Sequence, residues 1–407
     1  MGIDGMTDRH VGSRLNDDVR CLTIGREPPC STTRIRIRDR ALYPTAVFDT
    51  YWRFAAARQA IYFARLSQSP LPWTRDEVLR AHRFTNVFRA SDRVSQFLIS
   101  RVQRASGISH DLTNVVFRTL LFKVFNREDT WLRLESRVGP LTWQTYDFEQ
   151  YRSALDEASL QGPIYSAAYM MAPPRLGEDR KHANHLRLIE TMMREGLAGQ
   201  VQSAQSLRSI YERLVSYPGL GPFLAFQYAI DLNYSDLVSF DENDFVVAGP
   251  GAKDGIRKCF GRESAGIEDE VIRYMTDTQE EHFVRLELDF PGLFGRRLHL
   301  IDAQNLFCEV DKYARVRHPE IAGISGRSRI KQKYRPGGPL PPPVFPQRWG
   351  LDSAGLSDPI PEMQMLGPSV PDGCRVEVHD YAAPLVFSEL APHGIASEDR
   401  SLPLGTW

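Results

Sequence analysis

The sequence predicts an all-α fold, and three observations carry the prediction. Apolar residues recur every three to four positions in successive segments between about 48 and 316, the periodicity of a helix with one buried face. Period-2 alternation, the mark of a half-buried strand, is confined to one short stretch, TRIRIR at 33–38. The connections between periodic segments are short and hold helix starters and stoppers rather than hairpin turns.

Residues 1–46 read as a poorly ordered arm, with the arginines of 33–38 making a solvated basic segment rather than an edge strand. Helical spacing begins at about Phe48 with Tyr51, Trp52, Ala55, Tyr62 and Leu66, and Thr50 is placed to cap. Trp52, Tyr62 and Trp73 are read as core, not as a base-stacking platform. Pro72-Trp73-Thr74 breaks that helix, and Thr74 with Glu77 forms a capping box for the next. Phe117, Leu120, Leu121, Val124 and Phe125 mark a further helix, and Asp147 with Gln150 starts another after the Gly139-Pro140 turn. Leu186, Ile189, Met192 and Met193 define a helix ending near Gly196; Ile210 and Leu214 lead into a turn at Pro218, and periodicity resumes at Leu224, Ala225, Tyr228 and Ala229. PGGPLPPP at 336–343 is a semi-rigid linker, followed by an acidic, proline-spaced tail. The expected organisation is therefore an arm (1–46), a helical domain (47–335), and a linker with tail (336–407).

Composition narrows the function classes. No run of about 18 apolar residues exists, and the polar N-terminus (Asp4, Asp8, Arg9, His10) has no apolar core of a secretory signal. A cytoplasmic or nucleoid protein, nuclear if eukaryotic, is expected, with no membrane partner. The five cysteines (Cys21, Cys30, Cys259, Cys308, Cys374) are scattered and include no CxxC pair, which disfavours disulfides, structural zinc and iron–sulfur clusters. No cofactor and no metal are expected. Residues 336–407 hold nine acids and three bases, a net of −6; the chain total of −1 leaves +5 on residues 1–335. A basic body is compatible with a polyanionic partner.

Two glycine-rich helix entrances carry the chemistry. In YPGLGPFLA (217–225), Gly219 and Gly221 permit a tight turn between two helical patterns. Amides at the start of the second helix lack intrahelical partners and suit a phosphate. In DFVVAGPGAKDGIRK (244–258), Gly249 and Gly251 open a second helix with Lys253, Arg257 and Lys258 at hand, adding cations to amides. Both entrances are read as DNA-phosphate-binding. GxxxxGK[ST] occurs nowhere in the chain, which disfavours P-loop kinase activity. Arg89, Asp92, Arg93 and Gln96 fall at i, i+3, i+4 and i+7, one helical face. Lys181, His182 and His185 form a second polar cluster, too few in ligands for a metal. Gln304 and Asn305 share a later helix and are candidates to read a base edge.

The hairpin, followed 23 positions after Gly221 by Asp244, resembles the helix-hairpin-helix DNA glycosylases. That resemblance implies a hairpin gripping backbone phosphates and an aspartate stabilising positive charge on the sugar. Where the lyase branch carries its lysine nucleophile, this chain has Phe223, so Schiff-base chemistry is not implied. A closer resemblance covers about residues 48–335. YWRFAAARQAIYFARL (51–66), RFTNVFRASDRVSQFLI (83–99), FRTLLFKVFN (117–126), YPGLGPFLAFQYAIDLNYS (217–235), DFVVAGPGAKDGIRKCF (244–260) and LIDAQNLFCEVDKYARV (300–316) stand in order. They are similar to the helical domain associated with 5-hydroxymethyluracil DNA kinases and the related α-glutamyl/putrescinyl-thymine pyrophosphorylases.

The resemblance implies a two-lobed glycosylase-like core. It implies double-stranded DNA as partner, with a 5-substituted uracil flipped into the cleft, and a separate kinase of the same pathway. The reaction it implies is substitution at the 5-methylene of 5-hydroxymethyluracil or its phosphorylated form. Asp244 would then be base or charge stabiliser, with Lys253, Arg257 and Arg93 neutralising the phosphate leaving group. Arg89, Asp92, Arg93, Gln96, Lys181, His182, His185, Gln304 and Asn305 would line the substrate pocket. The alternatives are an N-glycosylase removing a modified thymine and a non-catalytic module serving the separate kinase.

Overall fold

The computed structural model describes residues 34–105, 111–167 and 171–351; the expected acidic tail beyond 351 and most of the N-terminal arm lie outside the described residues. Among the described residues the regular structure is helical apart from two isolated bridges and one antiparallel hairpin, β1 (Ile35–Ile37) and β2 (Arg40–Leu42), with Ile35 opposite Leu42. This replaces the solvated basic arm that the arginines suggest. The alternation buries Ile37 and Leu42, while Arg40 donates to the carbonyls of Glu263 and Ala265. An apolar face with a place to dock is enough to order the strand pair.

The helices in chain order are α1 (Ala46–Leu66), α2 (Glu77–Ala81), α3 (Arg93–Phe97), α4 (Leu112–Phe125), α5 (Glu128–Val138), α6 (Phe148–Leu160) and α7 (Lys181–Arg194). They continue as α8 (Leu197–Ser203), α9 (Leu207–Val215), α10 (Pro222–Asn233), α11 (Pro250–Phe260), α12 (Glu268–Asp277), α13 (Gln279–Arg285) and α14 (Leu300–Arg317). None is long and apolar enough to cross a membrane.

Asp147 caps α6 by accepting from the Gln150 amide, as its sequence predicts. Two other caps move. Thr45, not Thr50, accepts from the Val47 amide at the start of α1; Thr50 lies one turn inside, buried, and bonds back to the Ala46 carbonyl and to His318. Asp76, not Thr74, caps α2 through the Leu79 amide, and Thr74 accepts from the Asp76 amide just upstream. In both cases a nearby hydroxyl or carboxylate competes for the same orphan amides, and backbone geometry selects one.

The core is continuous. Trp52 and Tyr51 of α1 are fully buried, and α1 packs on α11 and α14. The α11–α14 crossing is close because Gly255 has no side chain: a Cβ there would lie 2.1 Å from the Phe307 carbonyl oxygen. On the other side α4 touches α7, α8 and α10 and is buried around nearly its whole circumference, including Arg118 and Lys123.

The body also continues past Arg335, in place of the linker that the prolines suggest. The Val344 backbone exchanges hydrogen bonds with the Gln96 side chain in both directions. Phe345 is buried, Arg348 reaches the carbonyls of Asn233, Ser235 and Val238, and Trp349 stacks on Phe345. Proline keeps this segment extended, and its aromatic and arginine side chains fasten it to the helices.

Candidate functional site

The two glycine-rich entrances are both helix N-termini, and they adjoin. α9 and α10 form a helical hairpin joined by residues 216–221. Gly219 takes φ +84° at its tip, where a Cβ would press on the Ala172 carbonyl at 3.3 Å; only glycine adopts that conformation at little cost. Gly221 is the N-cap of α10 and Gly249 the N-cap of α11. Each is followed by proline at the first helical position, and neither makes a side-chain cap bond. The first amides bonded within these helices belong to Ala225 and Lys253. Gly249 packs against the ring of Phe223, so close that a Cβ would be 2.4 Å from it. Glycine at 249 thus lets two positive helix ends sit side by side.

Cations supplement them unevenly. Lys253 is exposed and Arg257 half-buried on the same face of α11. Lys258, expected to join them, is buried and bonded to the Asp311 carboxylate at 3.1 Å and its carbonyl. Its place one residue round the helix turns it into the α11–α14 contact and away from phosphate. Gly251 likewise serves packing, its Cα side facing Cys308.

Asp244 is exposed and sits in the loop between α10 and α11. Phe245 anchors that loop between Tyr211 and Phe226, and Arg208 lies over its ring. The Asp244 carboxylate accepts from the Arg208 amide in the first turn of α9 at 3.3 Å. Arg273 holds the Asn243 and Asp244 carbonyls. Asp244 therefore stands at the base of the hairpin, at the N-terminus of α9 rather than directly before α11.

The expected pocket residues divide. Arg89, Asp92, Arg93 and Gln96 do not share one helical face, because Arg89 belongs to a separate 3-10 turn and α3 begins only at Arg93. Arg93 points to solvent and pairs with Glu128. Gln96 clamps Val344. Gln304 bonds Gln227 and Cys308, and Asn305 bonds Thr85 and the Asn86 carbonyl; both are buried helix contacts rather than base-edge readers.

Arg89 and His185 each belong to a buried polar group whose other members the spacing of 89–96 and 181–185 does not reveal. Arg89 contacts Asp231 at 2.6 Å, Lys123 contacts the same carboxylate at 2.7 Å, and all three are buried. Burial pulls Lys123 down to about 8, against the pull of Asp231. Burial also pushes Asp231 up, but Arg89 and Lys123 outweigh it and hold it below its usual range. Tyr228, one turn from Asp231 on α10, is pushed up by burial, with Asp231 and Tyr165 adding to the shift, and its hydroxyl donates to the Met171 sulfur. Tyr165 bonds His185 Nδ1 at 2.8 Å, and Lys181 lies over the Tyr165 ring. Burial pulls His185 down to about 4, so it is neutral at pH 7. His182 instead meets Asp156.

On its other side the Arg89 amide donates to Asp302, a carboxyl that burial pushes up to about 7. Asp92, whose carboxylate accepts from the Asn86 amide, is pushed by burial to about 7 as well. A visible signal did exist for the missed pair. Lys123 and Asp231 are charged residues within two otherwise largely apolar helix sequences, FRTLLFKVF and PFLAFQYAIDL, and a charge there must find a partner.

Against this geometry stand the comparisons with known proteins. Residues 45–323 match the family described as "5-hmdU DNA kinase, helical domain". A 5-hmdU DNA kinase of Bacillus phage SP10 is 25% identical over 298 residues, 69% of this chain and 46% of that protein. The chain thus spans about half the length of the curated relative it matches. No solved structure matches it. With well over half of its length matched in order, this chain belongs to the family of the 5-hmdU DNA kinase helical domain.

Proposed function

We propose that this chain binds DNA and acts in hydroxymethyluracil DNA modification, gripping the backbone at the paired helix entrances and working on a flipped 5-substituted uracil. The observation that carries the reading is the contact of Gly249 with Phe223. It joins two helix N-termini without capping side chains, and each such terminus is equivalent to about +0.5 charge. Lys253 and Arg257 add full charges on the same helix. Phosphate is the ligand that oriented amides and cations together favour. The match to 5-hmdU DNA kinase supports a hydroxymethyluracil as the base.

The chemistry follows from the same residues. In substitution at the 5-methylene, the C–O bond to a phosphate or pyrophosphate group breaks and its electron pair leaves with the phosphate. A C–N bond to an incoming amine forms, and the amine proton passes to Asp244. Lys253 and Arg257 stabilise the departing anion. One contact favours a second reading, in which the domain presents the base to a separate kinase: the Asp244 carboxylate is already engaged by the Arg208 amide. Nucleoside mass spectrometry decides between them. Duplex carrying phosphorylated 5-hydroxymethyluracil is incubated with the protein and an amine, then digested. A new base adduct is expected; unchanged nucleosides with retained binding leave presentation alone, and an abasic site indicates a glycosylase.

A further inference from the structure

We infer that residues 327–335 form a second contact surface for duplex DNA, separate from the hairpin and reading charge rather than sequence. Arg327, Arg329, Lys331, Lys333 and Arg335 place five cations on alternate positions, and no Asp or Glu occurs anywhere from 321 to 351. All five are exposed, and none makes an ion pair among the described residues. Elsewhere several exposed arginines pair with acids, as Arg93, Arg101 and Arg137 do. What sets this strip apart is five cations in nine residues with no acid in the segment to neutralise them.

The strip is built rather than loose. Its start is tied to α11, where the Ser325 amide donates to Asp254 at 2.7 Å. Asp254 directly follows Lys253. Arg315 of α14 holds the Arg329 carbonyl, and Ile330 is buried as an anchor. Lys333 then pairs with His82 in a β-bridge. The Arg83 amide donates to Gln332, and the Tyr334 amide to Ala81. Arg80 and Arg83, both exposed, stand where the strip ends. Backbone bonds and a buried isoleucine thus pre-order the cations, which lowers the entropy lost on binding.

Length and spacing fit a phosphate backbone. Nine extended residues reach at most ~30 Å, close to one turn of duplex, which carries about one charge per 1.7 Å. The strip begins at the Ser325–Asp254 bond, one position in sequence from Lys253 on α11. The inference shares with the proposed function only the premise that DNA is the ligand.

The test is fluorescence anisotropy with the full chain and a 30-base-pair duplex, with thymine or 5-hydroxymethyluracil, across a salt series. The variants are Lys331→Ala/Lys333→Ala and Lys253→Ala. The strip variant is expected to bind about tenfold more weakly, equally for both duplexes, with the log–log salt slope smaller by about 2. Unchanged affinity and slope, the result if residues 352–407 with their nine acids cover the strip, overturn the inference; a loss confined to Lys253→Ala then leaves the hairpin reading intact. Absence of DNA binding by the wild-type chain overturns both.

Discussion

At the residue scale, glycines differ in what they do, and only the structure separates them. Gly221 takes ordinary extended backbone, and a Cβ added there would meet nothing within 4 Å, whereas Gly219 sits at φ +84°. Gly219→Ala is expected to strain the hairpin by about 1 kcal/mol and weaken DNA binding, while Gly221→Ala changes affinity little; anisotropy titrations of the two variants check the difference. Gly255→Ala drives a methyl into the Phe307 carbonyl and is expected to cost ~1–3 kcal/mol, read from urea midpoints. Asp231→Ala removes the carboxylate from Arg89 and Lys123, leaving two buried cations, at a cost of ~3–5 kcal/mol. Asp302 sets a pH dependence. Its folded carboxyl titrates near 7 because burial raises it, against about 3.9 in an unfolded chain. The folded state therefore holds the proton more tightly, so this contribution is complete below about pH 4 and is lost as pH rises through 7. Asp302→Asn, which takes up no proton on folding, should flatten the decline of stability between about pH 4 and 7. An equally steep decline in the variant would assign the slope elsewhere, Asp92 being the other carboxyl near 7.

At the scale of elements, most helices were legible because buried faces repeat at 3.6 residues: α4, α6, α7, α9 and α10 all stand where the apolar spacing places them. Their partners were not legible. Lys258 and Lys253 are five positions apart on one helix, and only the α14 crossing decides that one meets Asp311 and the other meets solvent. The run at 89–96 misled because its spacing is helical while a 3-10 turn and an N-cap interrupt it. The segment after Arg335 misled for another reason: proline-rich composition describes its backbone and says nothing of Phe345, Arg348 and Trp349. Glu242, buried, receives Arg296, Arg348 and the Trp349 indole. Ending the chain at Arg335 is accordingly expected to lower the melting temperature markedly rather than leave an intact core, and Trp349→Ala should reproduce part of the loss, ~1–3 kcal/mol. Melting curves unchanged by both would show that this segment rests on the body without stabilising it.

For the whole molecule, the fold places two positive helix ends in contact and leaves Lys253 exposed beside them, while the buried charges Arg89, Lys123 and Lys258 are engaged by carboxylates. This division is the basis for reading the entrances as a DNA grip and the Arg89–Asp231–Lys123 group as an internal strut. The most direct measurement is the equilibrium affinity of the full chain for a duplex containing 5-hydroxymethyluracil between about 50 and 200 mM salt, repeated with Lys253→Ala/Arg257→Ala. The account predicts affinity that falls steeply with salt, and a variant that binds at least tenfold more weakly with a shallower slope. Wild-type binding that ignores salt, or a variant that binds as tightly as wild type, would contradict it.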